Sequence, residues 1–341
     1  MLTSAALLLL LFFNIAQAVH RICETASPQS ESGALLLPLA IVSDHDSKSK
    51  DSTSWYSSIK YGNLAIDSSR SSSFVHWLGS DNITSSLNYN GRAMEMSDLK
   101  VFDNRLLSVD DKLGIVYWIR NGSLVPWVIT STGDGTKSTP FKGEWMTVRD
   151  GDLFLGSSGH EIVSEKGEFE NDDQMFIRVI SANGAMKVED WTPYFVKLRM
   201  SVGIYFPGFM VHEAVQWSEY HKRWFFLPRY ASKAPYTHET VADSGCNYLI
   251  SSSDCFCDFN VTRIGKLDPH KGFSAFQFVP GTNDTIIAAL KTIERPKNDG
   301  DKHFATYITV FSIGGRILLE DTLVDESKYE GIAFVDVRDC L

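Results

Sequence analysis

The sequence predicts an all-β chain folded as a five-bladed β-propeller, on three observations. Short segments rich in Val, Ile, Phe, Tyr and Trp alternate with turn residues, while long amphipathic helical patterns are scarce. One pattern, a Ser or Glu with apolar residues two and four places on, recurs five times along the chain. A last strand-like segment, Tyr329 to Val335, arrives without partners of its own and would complete a blade begun by Leu36 to Val42.

The chain has 341 residues, of which 43% are hydrophobic, 12% aromatic and 22% charged, and this excludes a disordered or collagen-like protein. The formal charge is −10, from 32 basic and 42 acidic residues. Such a balance argues against a nucleic-acid polymer as partner, because phosphates demand a basic footprint. It leaves carboxylates to hold a cation.

Leu2 to Phe13 is an apolar run followed by Ala16-Gln17-Ala18, which reads as a signal peptide, 1–18, cut after Ala18. The alternative, an uncleaved anchor, meets the objection that the run is short for a bilayer. No later run reaches about 18 apolar residues. The expectation is a secreted, extracellular, monomeric protein with no membrane partner. Four sequons, at Asn82, Asn121, Asn260 and Asn283, agree with that route and predict glycosylated surface turns. The oxidising route also predicts two disulfides and one leftover thiol among Cys23, Cys246, Cys255, Cys257 and Cys340. Cys255 and Cys257 stand too close for a relaxed mutual bridge, so each is expected to find a distant partner. A zinc site is disfavoured by the spacing.

Residues 19–35 read as a loose N-terminal arm, and the Ser-, Asp- and Lys-rich stretch 46–58 as a loop. The remainder, 36–341, reads as one domain of short strands. Among them are Leu36–Val42, Val101–Val109, Ile115–Ile119, Leu124–Ile129, Leu153–Leu155, Arg223–Leu227, Ile286–Leu290 and Ala305–Phe311. The five repeat starts are Ser97, Glu144, Glu213, Ser274 and Glu330, spaced by 47 to 69 residues, about the size of a four-stranded blade. A period of two puts each start on the same face as its two apolar followers. A sandwich or barrel also shows such alternation, but radial repetition alone brings all five starts to one axis.

Glu144, Glu213 and Glu330 then converge with Ser97 and Ser274 on a central opening. Clustered carboxylates repel unless a cation joins them, and an all-oxygen set without Cys points to Ca²⁺. That ion either pins the blades or serves a reaction. Basic and acidic residues near the repeat starts favour the second: Arg92, Glu95 and Asp98 around Ser97, Lys142 before Glu144, Arg229 closing a strand, and Asp44 and Asp46 after the first strand. Arg and Lys around a cation suit a polyphosphate, whose oxyanions both can share.

At these residues the chain resembles the calcium-activated nucleotidase (apyrase) family, which includes secreted salivary apyrases of blood-feeding insects. The resemblance is carried by Asp44-His-Asp46, Gly91-Arg-Ala-Met-Glu-Met-Ser-Asp-Leu99, Leu107 to Asp111, Gly133-Asp-Gly-Thr136, Phe141-Lys-Gly-Glu-Trp145, Pro207 to Glu213, Arg223 to Arg229, Gly272-Phe-Ser274 and Lys328-Tyr-Glu-Gly331. It implies a propeller with central Ca²⁺ held by Ser97, Glu144, Glu213, Ser274 and Glu330, with Asp98 contributing through water or backbone. It also implies hydrolysis of extracellular nucleotides, ATP and ADP, to the monophosphate, and thereby inhibition of host platelet aggregation.

For the chemistry, Asp44, Glu95 and Asp98 are the carboxylates that can act as base, and Asp44 is preferred. Arg92 and Arg229 would neutralise phosphate charge, with Asp46 and Lys142 also on the substrate. Trp145 is placed as a stacking partner for the base, with core packing as its alternative. No Walker A motif follows Gly133-Asp-Gly-Thr136. Two other classes stay open at this point: a calcium-stabilised propeller that only binds a partner, and a calcium propeller hydrolase of another ester, such as a lactonase or phosphotriesterase.

Overall fold

The computed structural model describes residues 27, 29–31, 33–296 and 302–337. The predicted leader 1–18, most of the expected arm 19–35, and Cys23 and Cys340 lie outside the described residues.

Five antiparallel blades are arranged in a ring, and the five repeat starts lie in the innermost strands or, for Glu144, directly before one. Counting the closing blade as the first, the innermost strands of the second to fifth blades are Met96–Phe102, Trp145–Arg149, Gly208–Ser218 and Gly272–Phe278, and that of the closing blade is Tyr329–Ala333. Each packs beside the next, and Tyr329–Ala333 lies against both Gly272–Phe278 and Met96–Phe102, so the ring closes. The closing blade mixes the two ends of the chain, as the sequence predicts. Ala40 stands opposite Ala333, Ile41 opposite Ile332 and Val42 opposite Gly331. Ser54–Ile66 and Ser73–Ser85 extend this blade outward.

The core is divided among five blade-to-blade interfaces, and this explains the near-continuous apolar strands. In Ile286–Pro296, Ile286, Ala288 and Leu290 face the closing blade and join Leu39, Ile41 and Ile308. Ile287 and Ala289 face the other way, onto Leu227, Leu249 and Phe276. Alternate side chains thus leave opposite faces of one strand, and both faces are covered. One interface is markedly aromatic, with Trp145, Phe154, Trp191, Trp224 and Phe256 in one cluster. The short helix Thr192–Met200 docks there through Phe195 and Leu198.

Several local expectations need correction. Residues 46–58 are not a loop: they hold a 3₁₀ turn, Asp46–Ser49, and the start of Ser54–Ile66. The polar residues that suggest a loop are the half-exposed alternate positions of a strand, and the buried Ser57 donates to the Ser43 carbonyl at 2.6 Å. The run Val101–Val109 is two strands, Met96–Phe102 and Arg105–Asp110, reversed by Asp103 and Asn104 in left-handed conformations. All four sequon asparagines are exposed, but only Asn121 and Asn283 sit in turns; Asn82 and Asn260 lie in strands. Cys255 and Cys257 are bridged to each other, with Cα atoms 5.3 Å apart. Phe256 between them has φ 50° and buries its ring among the aromatics, and that fold-back brings the two sulfurs together. Cys246 is a buried free thiol.

At Gly331 two innermost strands pass close to each other. A Cβ there would lie 2.6 Å from backbone atoms of Asp98 and Leu99. Gly331→Ala is therefore expected to destabilise the chain by about 1–3 kcal/mol. Denaturant unfolding checks this, and an unchanged midpoint would show that the strands part without cost.

Candidate functional site

One end of the ring opens into a cleft of about 700 Å³. Seven carboxylates line it: Asp44, Asp46, Glu95, Asp111, Glu144, Glu213 and Glu294. Five cations stand among them: Arg92, Lys112, Lys142, Arg229 and Lys328. The loops that follow strands of the closing, second and third blades supply one side, and the innermost strands supply the floor.

Each acid of the floor is tied to a base. Glu144, just ahead of Trp145–Arg149, pairs with Lys142. Glu213 pairs with Arg229, which also reaches Glu330 at 2.6 Å and Glu294 at 3.2 Å. Lys328 lies 2.5 Å from Asp44 and 3.0 Å from Glu330. Burial works against the Arg229 charge, yet Glu213, Glu330 and Glu294 hold its pKa well above the ordinary value. Burial pushes the Glu330 carboxyl up to about 7 despite Lys328 and Arg229. Glu95 accepts two hydrogen bonds from Arg92, at 2.7 and 2.6 Å, and lies 3.4 Å from Lys112. Burial, with Asp44 and Asp111 close by, still raises its pKa to about 8. The cleft is short of positive charge.

Of the residues singled out from sequence, Asp44, Asp46, Arg92, Glu95, Lys142, Glu144, Glu213 and Arg229 line this cleft. Glu330 lies beneath it, bonded to Arg229 and Lys328. Ser97 is buried, and its hydroxyl has no hydrogen-bond partner. The Ser274 hydroxyl donates to the Tyr329 carbonyl at 2.9 Å. Asp98 is buried off the cleft, where its oxygens accept from the Leu99 and Met146 backbone N–H groups at 2.8 and 2.6 Å.

Trp145 does not face the cleft. It has no exposed surface, packs 5.9 Å from Trp191, and donates its indole N–H to the Ser157 carbonyl at 2.9 Å. The expectation that it stacks on a base is overturned. The strand begins at Trp145, and alternation turns the Trp145 ring into the blade interface while Glu144 faces the cleft. Arg229 is only 2% exposed in its side chain, whereas Arg92 and Lys142 keep 41% and 39% open, and Lys112 keeps 25%. The cations that solvent can reach are therefore the last three.

Sequence reasoning assigned no role to Asp111, Lys112, Lys328, Glu294 or Tyr236. One signal was present: Lys142-Gly-Glu144 and Lys328-Tyr-Glu330 share a Lys-x-Glu spacing at the entry to an innermost strand, and in both the Lys lies within salt-bridge distance of the Glu. Glu294 and Tyr236 come from other parts of the fourth and fifth blades and carry no such mark.

The donor chemistry fits a hard divalent cation. The side chains are oxygen donors, acids outnumber bases, and the buried Ser97 hydroxyl at a predicted ligand position has no partner. Among the described residues, no three His, Cys, Asp or Glu side chains are grouped as a metal-binding cluster, because the acids are turned onto Lys and Arg.

The apyrase family model matches residues 43–335. The chain belongs to the apyrase family. It is 39% identical to soluble calcium-activated nucleotidase 1 of Rattus norvegicus over 311 residues, covering 90% of this chain and 76% of that protein. It is 38% identical to an apyrase of Caenorhabditis elegans over 308 residues, 89% and 86% of the two chains. With an apyrase of Cimex lectularius the identity is 39% over 315 residues, 91% and 85% of the two. The match takes in every innermost strand and every cleft residue of this apyrase-family chain named above.

Burial of ionisable groups sets two expected outcomes. Arg229→Met leaves Glu213, Glu330 and Glu294 without their shared cation, and it should cost about 3–5 kcal/mol in equilibrium unfolding; a loss under 1 kcal/mol would mean that the acids re-pair elsewhere. The second concerns His212, which is buried between Phe195 and Phe226 with both ring nitrogens unpartnered. Burial lowers its pKa from 6.5 to about 3. The unfolded chain therefore takes up the proton first as pH falls, and the native state loses stability below pH 6.5. The stability difference between His212→Phe and wild type should shift in favour of the variant by about 1.4 kcal/mol per pH unit from pH 6 to 4. A pH-independent difference would show that the ring is not held neutral.

Proposed function

We propose that this chain is a secreted, calcium-dependent apyrase that hydrolyses extracellular nucleoside tri- and diphosphates, ATP and ADP, to the monophosphate and phosphate. The observation that carries the proposal is the coexistence, in one cleft, of solvent-reachable cations with an excess of carboxylates. Such a set favours a polyphosphate held with a metal over a neutral ester. Family membership and the printed names of the relatives support the same reading.

In this reading Glu144, Glu213 and Glu330, with hydroxyl or backbone oxygens of Ser97 and Ser274, would hold Ca²⁺, and Asp98 would contribute through water or backbone. When bound, the ion supplies neutralisation of phosphate charge and a place for water. Arg92, Lys112 and Lys142 bind the phosphate oxygens from the open side and stabilise charge as the bridging P–O bond breaks. Arg229 acts mainly by holding Glu213, Glu294 and Glu330 in place. Asp44 is the carboxylate we assign as base toward the attacking water. It lines the cleft, whereas Asp98 does not, and Glu95 is clasped by Arg92 on both oxygens. The Asp46 N–H and Lys328 orient Asp44 while leaving lone pairs on its oxygens. Leader, sequons and family together support an extracellular site of action, and removal of ADP and ATP there would blunt platelet activation.

Phosphate release from ATP and ADP, measured with Ca²⁺, with Mg²⁺ and with chelator, tests the proposal. Turnover is expected with Ca²⁺ on both nucleotides, with little in Mg²⁺, which demands tight octahedral geometry and keeps its waters. Glu144→Gln and Glu213→Gln should lose activity and the Ca²⁺-dependent rise in melting temperature together, since bound metal stabilises the fold by mass action. Equal turnover in Mg²⁺ after Ca²⁺ is stripped, or an unchanged melting shift in both variants, would overturn the metal assignment. Negligible ADP turnover would remove the haemostatic role.

A further inference from the structure

The cleft has a second side without formal charge. Tyr236 and His160 stack with ring centroids 4.9 Å apart at 16°, and Phe209 braces Tyr236 edge-on at 4.9 Å. Ile162, Val163, Val211 and Val241 complete this wall within the same cavity.

The wall is built to hold its shape. His160 is buried and its Nδ1 lies 2.7 Å from the Glu161 carbonyl. Burial keeps its pKa down at about 4, so the ring is neutral at physiological pH and Nδ1–H donates to that carbonyl. Glu161 in turn is clamped by Arg199 through two hydrogen bonds of 2.5 and 2.6 Å. This pins the root of the two-stranded hairpin, Ile162–Val163 with Phe169–Asn171, that carries two of the wall residues. On the other side, Thr237 and Thr240 cap each other at the turn just after Tyr236 and fix the segment that bears Val241. Tyr236 is only half-buried, unlike Trp145, so a ring surface remains available to the cleft.

A nucleotide is chemically two-sided: a polyanion joined through a sugar to a flat, largely apolar heterocycle. The cleft divides in the same way, with cations and acids on one side and a stacked aromatic pair flanked by aliphatic side chains on the other. Its volume of about 700 Å³ is in the range that encloses a small organic ligand. We propose that the Tyr236–His160 wall, with Ile162, Val163 and Val241, holds the nucleobase by stacking and apolar contact, and thereby takes the role that Trp145 cannot fill. The inference rests on the polyphosphate reading of the charged side. It further implies base tolerance, because every nucleobase has a π-face and stacking does not read its hydrogen-bond edge.

The test separates the base from the phosphates. KM and kcat are measured with Ca²⁺ for ATP and for inorganic tripolyphosphate in wild type, Tyr236→Ala, Tyr236→Phe and Val163→Asp. Direct binding of ADP and of pyrophosphate is measured alongside by calorimetry. Loss of a stacking partner should raise KM for ATP about tenfold relative to KM for tripolyphosphate, an effect in the range of one base–aromatic stack. Tyr236→Phe keeps the ring and should stay within about twofold of wild type on both compounds. Val163→Asp, on the hairpin and outside the ring contacts that Tyr236 makes with His160 and Phe209, should produce the same split if Tyr236→Ala fails to fold. Equal changes on ATP and tripolyphosphate, or no change on either, would overturn the assignment. ADP binding that weakens in Tyr236→Ala, in a protein that releases no phosphate, would leave the base site standing and overturn the hydrolase reading alone.

Discussion

The buried guanidinium of Arg229 is the interaction on which the site and the ring both depend. It touches Glu213 on the innermost strand of the fourth blade, Glu330 on the closing strand and Glu294 on the fifth blade. Three elements from distant parts of the chain thus share one cation. Taking such charges out of water is costly, and mutual pairing offsets the cost only while all partners are present. The arrangement is therefore poor as a source of net stability and strong as a constraint: the closing strand cannot slip without drawing the buried Glu330 away from Arg229. The strand that closes the propeller also supplies Glu330 to the cleft floor. Backbone pairing of Val42 with Gly331 sets the register, and Arg229 and Lys328 fix what Glu330 then faces.

The architecture was legible because a propeller repeats its physics. Each blade needs an innermost strand with a polar start and apolar alternate positions, so five similar phrases appear in the sequence, and all five starts fall in or just before innermost strands. The outer strands were harder to see. Ser54–Ile66 and Ser73–Ser85 have serines at half-exposed positions, and composition read the first of them partly as a loop. Glu213 also departs from the simple pattern. Gly208–Ser218 extends five residues ahead of it, and its pairing shifts register around His212. A repeat start marks the residue that faces the axis there, not the first residue of the strand.

Side-chain direction at the site was less legible than position. Glu144 and Trp145 are neighbours in sequence and share a motif, yet the pleat sends one to the cleft and the other to the interface of the third and fourth blades. Asp98 sits one residue after a repeat start and for the same reason turns away from the cleft to bond the Met146 backbone, where it couples two innermost strands. Arg229 was readable as a cation near the site, but its burial by three acids depends on residues 16, 65 and 101 positions away, and no local pattern carries that. Tyr236 and His160 meet only because two separate loops lean on the same wall.

These placements explain why acids and bases alternate so densely at one end of the ring. A cleft lined by carboxylates alone would protonate some of them, and Glu95 and Glu330 already show the upward pressure of burial and neighbouring negative charge. Lys142, Lys328 and Arg229 relieve part of it through direct pairs, while the acids still outnumber the bases. The remaining deficit has a physical consequence: any species that brings positive charge into the cleft is favoured electrostatically, and a bare polyanion is admitted only along the side where Arg92, Lys112 and Lys142 are open to solvent. A polyphosphate accompanied by a hard cation satisfies both conditions at once, and the apolar wall opposite gives the uncharged end of such a ligand a dry surface to cover. The division of the cleft into these two sides follows from the blades that supply them. The charged side is built from strand-end motifs that recur around the ring, and the apolar side from a hairpin of the third blade and a helical turn of the fourth.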